Sequence, residues 1–130
     1  MGMDVSLNVG IMAMSARDIA GQTLVKLGED HPEVVIVNAD LGTSTRTTGF
    51  MQRFPERSFN VGIAEQNMVS IASGMAREGL RPIVLTMAPF LSMRACEQVR
   101  TDVCYGRVPV IMLGTYAGYS GGISGATHSG

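Results

Sequence analysis

The sequence predicts an α/β fold with three layers, in which helices cover both faces of a mainly parallel β-sheet. Residues 34–37 and 82–87 are apolar runs without polar alternation, which is typical of strands buried on both faces. Patterns with helical periodicity, about ten residues long or more, separate the predicted strands. A strand–helix–strand succession of this kind forms a right-handed crossover, so the strands lie parallel.

The predicted domain begins near Ser15. Ser15 followed by Asp18 is typical of an N-cap with an acid in the first helical turn, and Gly28 can end that helix. The elements expected after it are strand 34–37, short helix 47–54, short strand 58–61, helix 64–77, strand 82–87, helix 91–105 and strand 109–113. We interpret residues 1–14 as a leader or added residues, and residues 15–130 as one domain.

Composition argues against several classes of partner. The 130 residues carry a formal net charge of −1 and no Trp, so we expect neither nucleic acid nor a membrane as partner. No apolar run reaches the ~18–20 residues of a membrane span. Cys96, Cys104 and two histidines lack the spacing of a zinc site, and we expect no metal ligands in this chain. We interpret both thiols as buried and reduced, in a cytoplasmic protein.

Ligands of open α/β sheets bind outside the carboxyl ends of the strands, which here means residues 38–44, 62–65, 86–90 and 114–128. Glu65 lies in the second of these segments, at the head of a helix face that is otherwise apolar. Spacing alone allows two interpretations. Glu65 is either a first-turn residue favoured by the helix dipole with its tip in solvent, or a buried carboxylate with a functional role.

Four segments, in order and with consistent spacing, resemble the transketolase family. The hallmark is residues 54–68, Phe-Pro-Glu-Arg-Ser-Phe-Asn-Val-Gly-Ile-Ala-Glu-Gln-Asn-Met. The others are residues 37–41, residues 86–100, and residues 121–128, which end Gly-Ala-Thr-His. The match is most similar to B-type subunits of split transketolases and to deoxyxylulose-phosphate synthases. It implies the thiamine-diphosphate-binding pyrimidine (Pyr) fold.

The resemblance implies that thiamine diphosphate is the cofactor and that Glu65 activates it. In the family, the matching glutamate hydrogen-bonds N1′ of the aminopyrimidine, and a proton shared there favours the imino tautomer that deprotonates C2 of the thiazolium. Met87 and Phe90 stand where the family brackets the pyrimidine with two aromatic rings. By residue type alone, Phe90 would be an ordinary core Phe. A third ring contact is expected at Met93 or Arg94.

Asp40 matches a family residue near the thiazolium, although by composition it would be a turn Asp. The residues matched to substrate binding are Arg17, Ser44, Tyr116, Ser124 and His128. Arg17 and Ser44 match phosphate-binding positions, and His128 matches a catalytic histidine beside the reactive carbon. Without the resemblance these would be a solvated Arg, a capping Ser and a tail His. Where this chain has Tyr116 and Ser124, the family commonly has His and Asp. This difference changes which substrate hydroxyl groups the site can hydrogen-bond.

The implied activity needs a second chain or domain. The sequence contains no Gly-Asp-Gly, with which the family's PP domain holds Mg²⁺ and the diphosphate. We therefore expect a PP-domain partner, a homo- or hetero-oligomer such as a dimer, and no turnover by the isolated chain, whether it is a truncation or a short subunit. The expected activity is transketolase-like transfer of a two-carbon ketol unit between sugar phosphates.

Three alternatives share this fold. Instead of belonging to a transketolase, the chain could be the Pyr domain of a 1-deoxyxylulose-5-phosphate synthase or of a pyruvate dehydrogenase β-type enzyme. The third alternative is a non-catalytic dimerisation module. Retention of Glu65, Phe90 and His128 argues against the last of these, because packing alone needs none of them.

Overall fold

A parallel sheet organises residues 14–129, the part of the chain that the computed structural model describes. Its strands are β1 (Val34–Asn38), β2 (Ser58–Asn60), β3 (Arg81–Met87) and β4 (Ile111–Thr115). They lie in the order β2-β1-β3-β4, and every neighbouring pair is parallel. The predicted α/β class is confirmed. The expected leader lies outside the described residues except for Met14.

The first helix, α1 (Ala16–Asp30), precedes β1, and three helical segments connect the four strands: α2 (Thr48–Arg53), α3 (Glu65–Arg77) and α4 (residues 90–105). Short 3₁₀ turns occur at Pro55–Arg57, Gly118–Ser124 and Ala126–His128. The predicted start of α1 is present as a reciprocal capping box, in which the Asp18 N–H donates to Ser15 Oγ and the Ser15 N–H donates to Asp18 Oδ2, both at 3.2 Å.

Helix α1 continues past Gly28 to Asp30, so Gly28 does not end it. Gly28 is instead a contact point between α1 and two aromatic rings. A Cβ placed on Gly28 would lie 2.5 Å from Phe50 Cε2 and 2.6 Å from Phe54 Cε2. The absent side chain therefore serves close packing rather than termination.

Both faces of the sheet are buried, as the lack of polar alternation along its strands predicts. On one face, α1 and α2 cover a cluster of Leu24, Val34, Ile36, Phe50, Ile83 and Leu85. On the other face, α3 and α4 cover a cluster of Val37, Ala39, Met68, Val69, Ala72, Val84, Leu91, Ala95 and Val103. Each buried Val, Leu or Ile side chain contributes roughly 1.5–3 kcal/mol relative to exposure, so these two layers stabilise the sheet that carries the site.

Helix α4 is irregular, with π-helical turns at Phe90–Arg94 and Val99–Tyr105 around a short α-helical turn at Cys96–Gln98. The Ala95 N–H donates to Phe90 O at 3.2 Å, a bond that spans five residues instead of four. A π turn holds one extra residue in a helix and rotates the side chains that follow it. It thereby decides which side chain faces the end of the sheet.

Two expectations need correction. The last strand is Ile111–Thr115, two residues beyond the predicted 109–113, because pairing with β3 begins at Ile111 and the Val110 N–H donates to Val108 O instead. The expectation of buried thiols is wrong, because Cys96 and Cys104 lie on the outer side of α4 and are both exposed and free. Within the described residues, no helix is both long and apolar enough to cross a membrane.

Candidate functional site

The carboxyl ends of β1, β2 and β3 meet at a cavity of about 280 Å³. Its lining residues are Ala39, Asp40, Leu41, Ile63, Glu65, Met87, Phe90, Arg94, Thr127 and His128. All residues that the sequence assigned to the cofactor are among them, although they come from three separate segments. We call this space the Glu65 cavity.

Glu65 is the first residue of α3 and is 1% exposed. Its Oε2 accepts a hydrogen bond from Arg94 Nη1 at 2.6 Å. Its Oε1 is buried and has no hydrogen-bond donor among the described residues. The interpretation of Glu65 as a surface residue at a helix start is therefore wrong. A buried carboxylate oxygen without a donor costs several kcal/mol of desolvation, and a ligand donor would relieve that cost.

Phe90 forms one wall of the Glu65 cavity rather than a part of the core. The His128 ring meets it edge-on, with centroids 5.2 Å apart and planes at 69°. The Arg94 guanidinium lies over it, with Cζ 4.2 Å from the ring centroid. Met93 is 75% exposed and does not line the cavity. Of the two candidates for a third contact, the π turn thus brings Arg94 to the cavity.

Asp40 follows β1 in a left-handed conformation, with φ of 60°. Asn60, the last residue of β2, accepts from the Asp40 N–H and donates through Nδ2 to Asp40 Oδ1, both at 3.0 Å. Asn60 was not predicted as a site residue. It lies opposite Asn38 at the carboxyl end of the neighbouring strand, so the rule about strand ends could have identified it.

A second cavity of about 410 Å³ adjoins the first and shares Asp40 and Leu41 with it. Its remaining lining residues are Asn38, Gly42, Thr43, Ser44, Thr48, Met51, Gln52 and Asn60. Ser44, expected at a substrate phosphate, lies here and not in the Glu65 cavity. Asp40 therefore stands at the border of an apolar cavity and a more polar one.

Arg17, Ser44 and Tyr116 come together although they are far apart in the sequence. Arg17 Nη1 donates to Ser44 O at 3.1 Å and also to the Tyr116 hydroxyl. Its Cζ lies 4.2 Å from the centroid of the Tyr116 ring. Arg17 is therefore half-buried and engaged, not solvated. Of the other two expected substrate residues, His128 lines the Glu65 cavity, whereas Ser124 is exposed and lines neither cavity.

The charged side chains of the site limit the kind of ligand that it can hold. Among residues 14–129, no group of three or more His, Cys, Asp and Glu side chains is placed to hold a metal ion. The charged groups that line the Glu65 cavity are Asp40, Glu65, Arg94 and, when protonated, His128. The cavity can thus accept a flat, partly apolar ring that offers hydrogen-bond donors to Glu65.

Known proteins resemble this chain over most of its length. Residues 12–130 match the family described as transketolase, pyrimidine binding domain. A putative transketolase C-terminal section of Methanocaldococcus jannaschii is 42% identical over 108 residues, which are 83% of this chain and 34% of that protein. A 1-deoxy-D-xylulose-5-phosphate synthase of Dictyoglomus thermophilum is 42% identical over 113 residues, 87% of this chain and 18% of that protein.

A solved structure described as a split gene transketolase, inactive beta4 tetramer, is also similar. It superposes with a TM-score of 0.72 at 43% identity, over 79% of this chain and 34% of that chain. The chain thus spans about a third or less of the length of these relatives. The family match and the shared fold lead to one assignment. The chain belongs to the transketolase pyrimidine-binding domain family.

Proposed function

We propose that this chain is the pyrimidine-binding part of a thiamine-diphosphate-dependent transketolase, which transfers a two-carbon ketol unit between sugar phosphates. The observation that carries the proposal is the buried Glu65 carboxylate at the wall of an apolar cavity, whose Oε1 has no donor within residues 14–129. Packing alone does not require such a group, and its placement suits a ring nitrogen that shares a proton with it.

The residues present fit the aminopyrimidine of the cofactor. Glu65 Oε1 can accept a hydrogen bond, while Met87 and Phe90 provide apolar walls of the same cavity. Thiamine diphosphate, when bound, supplies the carbanion chemistry, and the protein supplies position and control of the proton at N1′. Asp40 would lie toward the thiazolium, since it borders both cavities.

Substrate contacts are proposed for two groups of residues. His128 lines the Glu65 cavity and would hydrogen-bond the substrate next to the reacting carbon, in a catalytic role. Arg17, with Ser44 and Tyr116 fixing its guanidinium, would bind the phosphate of the sugar. Ser124 is proposed as a sugar contact on the resemblance alone.

We propose that a PP-domain chain carrying Gly-Asp-Gly completes the site and holds the diphosphate and Mg²⁺. The split-gene similarity supports an oligomer with a partner subunit. Residues Ile63 and Met93, which are 76% and 75% exposed beside the Glu65 cavity, are apolar surface that a partner would cover. Free, exposed thiols at Cys96 and Cys104 fit a reducing cytoplasmic environment.

A 1-deoxy-D-xylulose-5-phosphate synthase is the second candidate. It is favoured by the 42% identity to the Dictyoglomus thermophilum enzyme, and Tyr116 and Ser124 depart from the transketolase pattern. The assembled enzyme separates the two activities, because the synthase decarboxylates pyruvate and a transketolase consumes a ketose phosphate. Turnover with pyruvate and glyceraldehyde 3-phosphate, and none with a ketose donor, would replace the first proposal by the second.

The decisive experiment uses the chain reconstituted with its PP-domain partner. We expect Glu65→Gln to lower kcat at least ~1,000-fold, because the amide cannot share a proton with N1′. Glu97→Gln, on the exposed side of α4, is the matched control and should leave kcat unchanged. Full turnover by the Glu65→Gln complex would contradict the proposed function, and would favour a dimerisation module.

A further inference from the structure

The second cavity, of about 410 Å³, contains a buried polar atom that residues 14–129 leave without a partner. Asn38, the last residue of β1, is fully buried and lines this cavity. Its Nδ2 lies 3.7 Å from Met51 Sδ, a weak acceptor, and its Oδ1 accepts no hydrogen bond from a described residue. A buried amide oxygen without a donor is unfavourable, so this atom marks a place where a ligand donor would be stabilised.

The other polar side chains of this space, which we call the Asn38 cavity, are mostly uncharged. Ser44 comes from the loop after β1, and Thr48 and Gln52 come from α2. Among the described residues that line the cavity, Asp40 is the one charged group, and none is Lys, Arg or His. A phosphate or carboxylate ligand would therefore meet a negative charge without a compensating cation.

A compound with several hydroxyl groups matches this lining. Asn38 Oδ1 and the Asp40 carboxylate need donors, whereas the hydroxyl and amide side chains both donate and accept. A ligand hydroxyl also does both, so successive hydroxyls can pair with all of these groups without bringing a charge. Leu41 and Met51 supply apolar contacts for the carbon atoms between them. We infer that the Asn38 cavity binds a neutral polyhydroxy compound, either a free polyol or the carbon chain of a sugar.

This inference does not depend on the cofactor. Asn38, Thr48 and Gln52 have no part in the proposed function, and Glu65 does not line the Asn38 cavity. The volume of about 410 Å³ lies within the range of roughly 300–1,000 Å³ that is typical of small-molecule sites.

The test titrates the chain of 130 residues with xylitol and, separately, with inorganic phosphate and with putrescine. NMR follows the side-chain amide resonances of Asn38 and Gln52. We expect xylitol at millimolar concentration to shift both resonances until they saturate, whereas phosphate leaves them in place. No saturable shift with xylitol, or saturation by phosphate or putrescine at a lower concentration, would overturn the inference.

Asn38→Leu separates binding from folding. Leu has nearly the shape of Asn and removes the unpaired oxygen, so the midpoint of urea denaturation should stay the same or rise. Xylitol should bind about tenfold more weakly, because one ligand hydroxyl then lacks its acceptor. Unchanged affinity for xylitol would contradict the contact with Asn38.

Gln52→Ala provides a second variant, because a change at a buried residue such as Asn38 can disturb the fold. Gln52 lies at an exposed position of α2, and its loss should weaken xylitol binding about 3- to 10-fold. Gln22→Ala, at an exposed position of α1, is the matched control and should bind xylitol as the unaltered chain does. Equal affinities of the two variants would argue against a ligand in the Asn38 cavity.

Kinetics of the assembled enzyme distinguish the two sources of the ligand. Arg17 Nη1 donates to Ser44 O at 3.1 Å, so the phosphate contact of the proposed function adjoins the Asn38 cavity. If the substrate sugar is the ligand, Asn38→Leu should raise its KM about tenfold. An unchanged KM, with xylitol binding weakened, would identify a separate polyol. An active Glu65→Gln complex would refute the proposed function alone, because the xylitol titration needs no cofactor.

Discussion

Asn60 holds Asp40 at the border between the two cavities. Its Nδ2 donates to Asp40 Oδ1, and its Oδ1 accepts from the backbone N–H groups of Asp40 and Gly62, all at 3.0 Å. Asp40 and Gly62 have φ of 60° and 73°, so one side chain stabilises two left-handed turns at the ends of neighbouring strands. The position of the Asp40 carboxylate therefore depends on a residue from another strand.

Replacing Asn60 by Ala should remove the side-chain hydrogen bonds that connect residue 60 to Asp40 and Gly62. We expect the free energy of unfolding to fall by about 1–2 kcal/mol, because three partly solvated hydrogen bonds are lost. Urea denaturation measures the change. Asn67→Ala, at an exposed position of α3, is the control and should be neutral or stabilising by no more than ~0.7 kcal/mol. Equal stability of Asn60→Ala and the unaltered chain would argue against the connection.

An exchange of the two side chains separates stability from function. Asp40→Asn combined with Asn60→Asp keeps a donor and an acceptor in contact, so most of the lost stability should return. The carboxylate then belongs to β2, and the assembled enzyme should stay at least ~10-fold slower if the position of Asp40 matters. Recovery of both stability and kcat would show that the carboxylate need not be at residue 40.

Gly28→Ala should destabilise the fold although it adds a good helix former to α1. The new Cβ would lie 2.5 Å from Phe50 Cε2, and overpacking of this kind costs about 1–3 kcal/mol, more than the ~1 kcal/mol of helix propensity gained. Gly74→Ala in α3 is the matched control. Beyond its own helix backbone and chain neighbours, no atom of the part of the chain that the structure describes lies within 4 Å of its Cβ, so thermal denaturation should show a gain of ~0.5–1 kcal/mol. A stabilising Gly28→Ala would contradict the packing described here.

Asp102 should make stability depend on pH. Ser70 Oγ donates to its Oδ2 at 2.6 Å and Thr101 Oγ1 to its Oδ1 at 3.0 Å, and these bonds lower the pKa of Asp102 below its usual 3.8. A lowered pKa in the folded state means that the stabilisation is complete above the unfolded pKa. It is lost as pH falls through the folded pKa.

The measurement compares Ser70→Ala with the unaltered chain in urea at several pH values. The difference in free energy of unfolding should be present at pH 6 and should shrink as pH falls below about 4. Ser92→Ala is the control, since the Ser92 hydroxyl donates to the Ala88 carbonyl and its contribution should not vary with pH. A Ser70→Ala difference that is constant from pH 6 to pH 3 would rule out this coupling.

Arg17→Lys tests the proposed phosphate contact in the assembled enzyme. An ammonium group cannot reproduce the stacking on Tyr116 or the forked donors, so KM for the phosphorylated substrate should rise about 10- to 100-fold with kcat little changed. Steady-state kinetics measure both constants, and Arg100→Lys serves as control. A KM equal to that of the unaltered enzyme would remove Arg17 from the proposed site.

Local sequence patterns predicted most elements because their determinants are local. The capping pair Ser15–Asp18 and the apolar run 34–37 each specify an element through neighbouring residues. The extension of α1 past Gly28 and the shift of β4 to Ile111–Thr115 were not predictable in this way. They depend on rings and strands from elsewhere in the chain.

By itself, the sequence determined the fold class, the family and the candidate site segments, because periodicity and motif spacing are properties of consecutive residues. Only the tertiary structure decided that Glu65 is buried, that Arg94 rather than Met93 meets it, and that Asn60 holds Asp40. Glu65 and Arg94 are 29 residues apart, and Arg17 and Tyr116 are 99 apart. Such contacts arise from the parallel sheet, which brings the carboxyl ends of its strands to one edge, and from a π turn that rotates Arg94 inward.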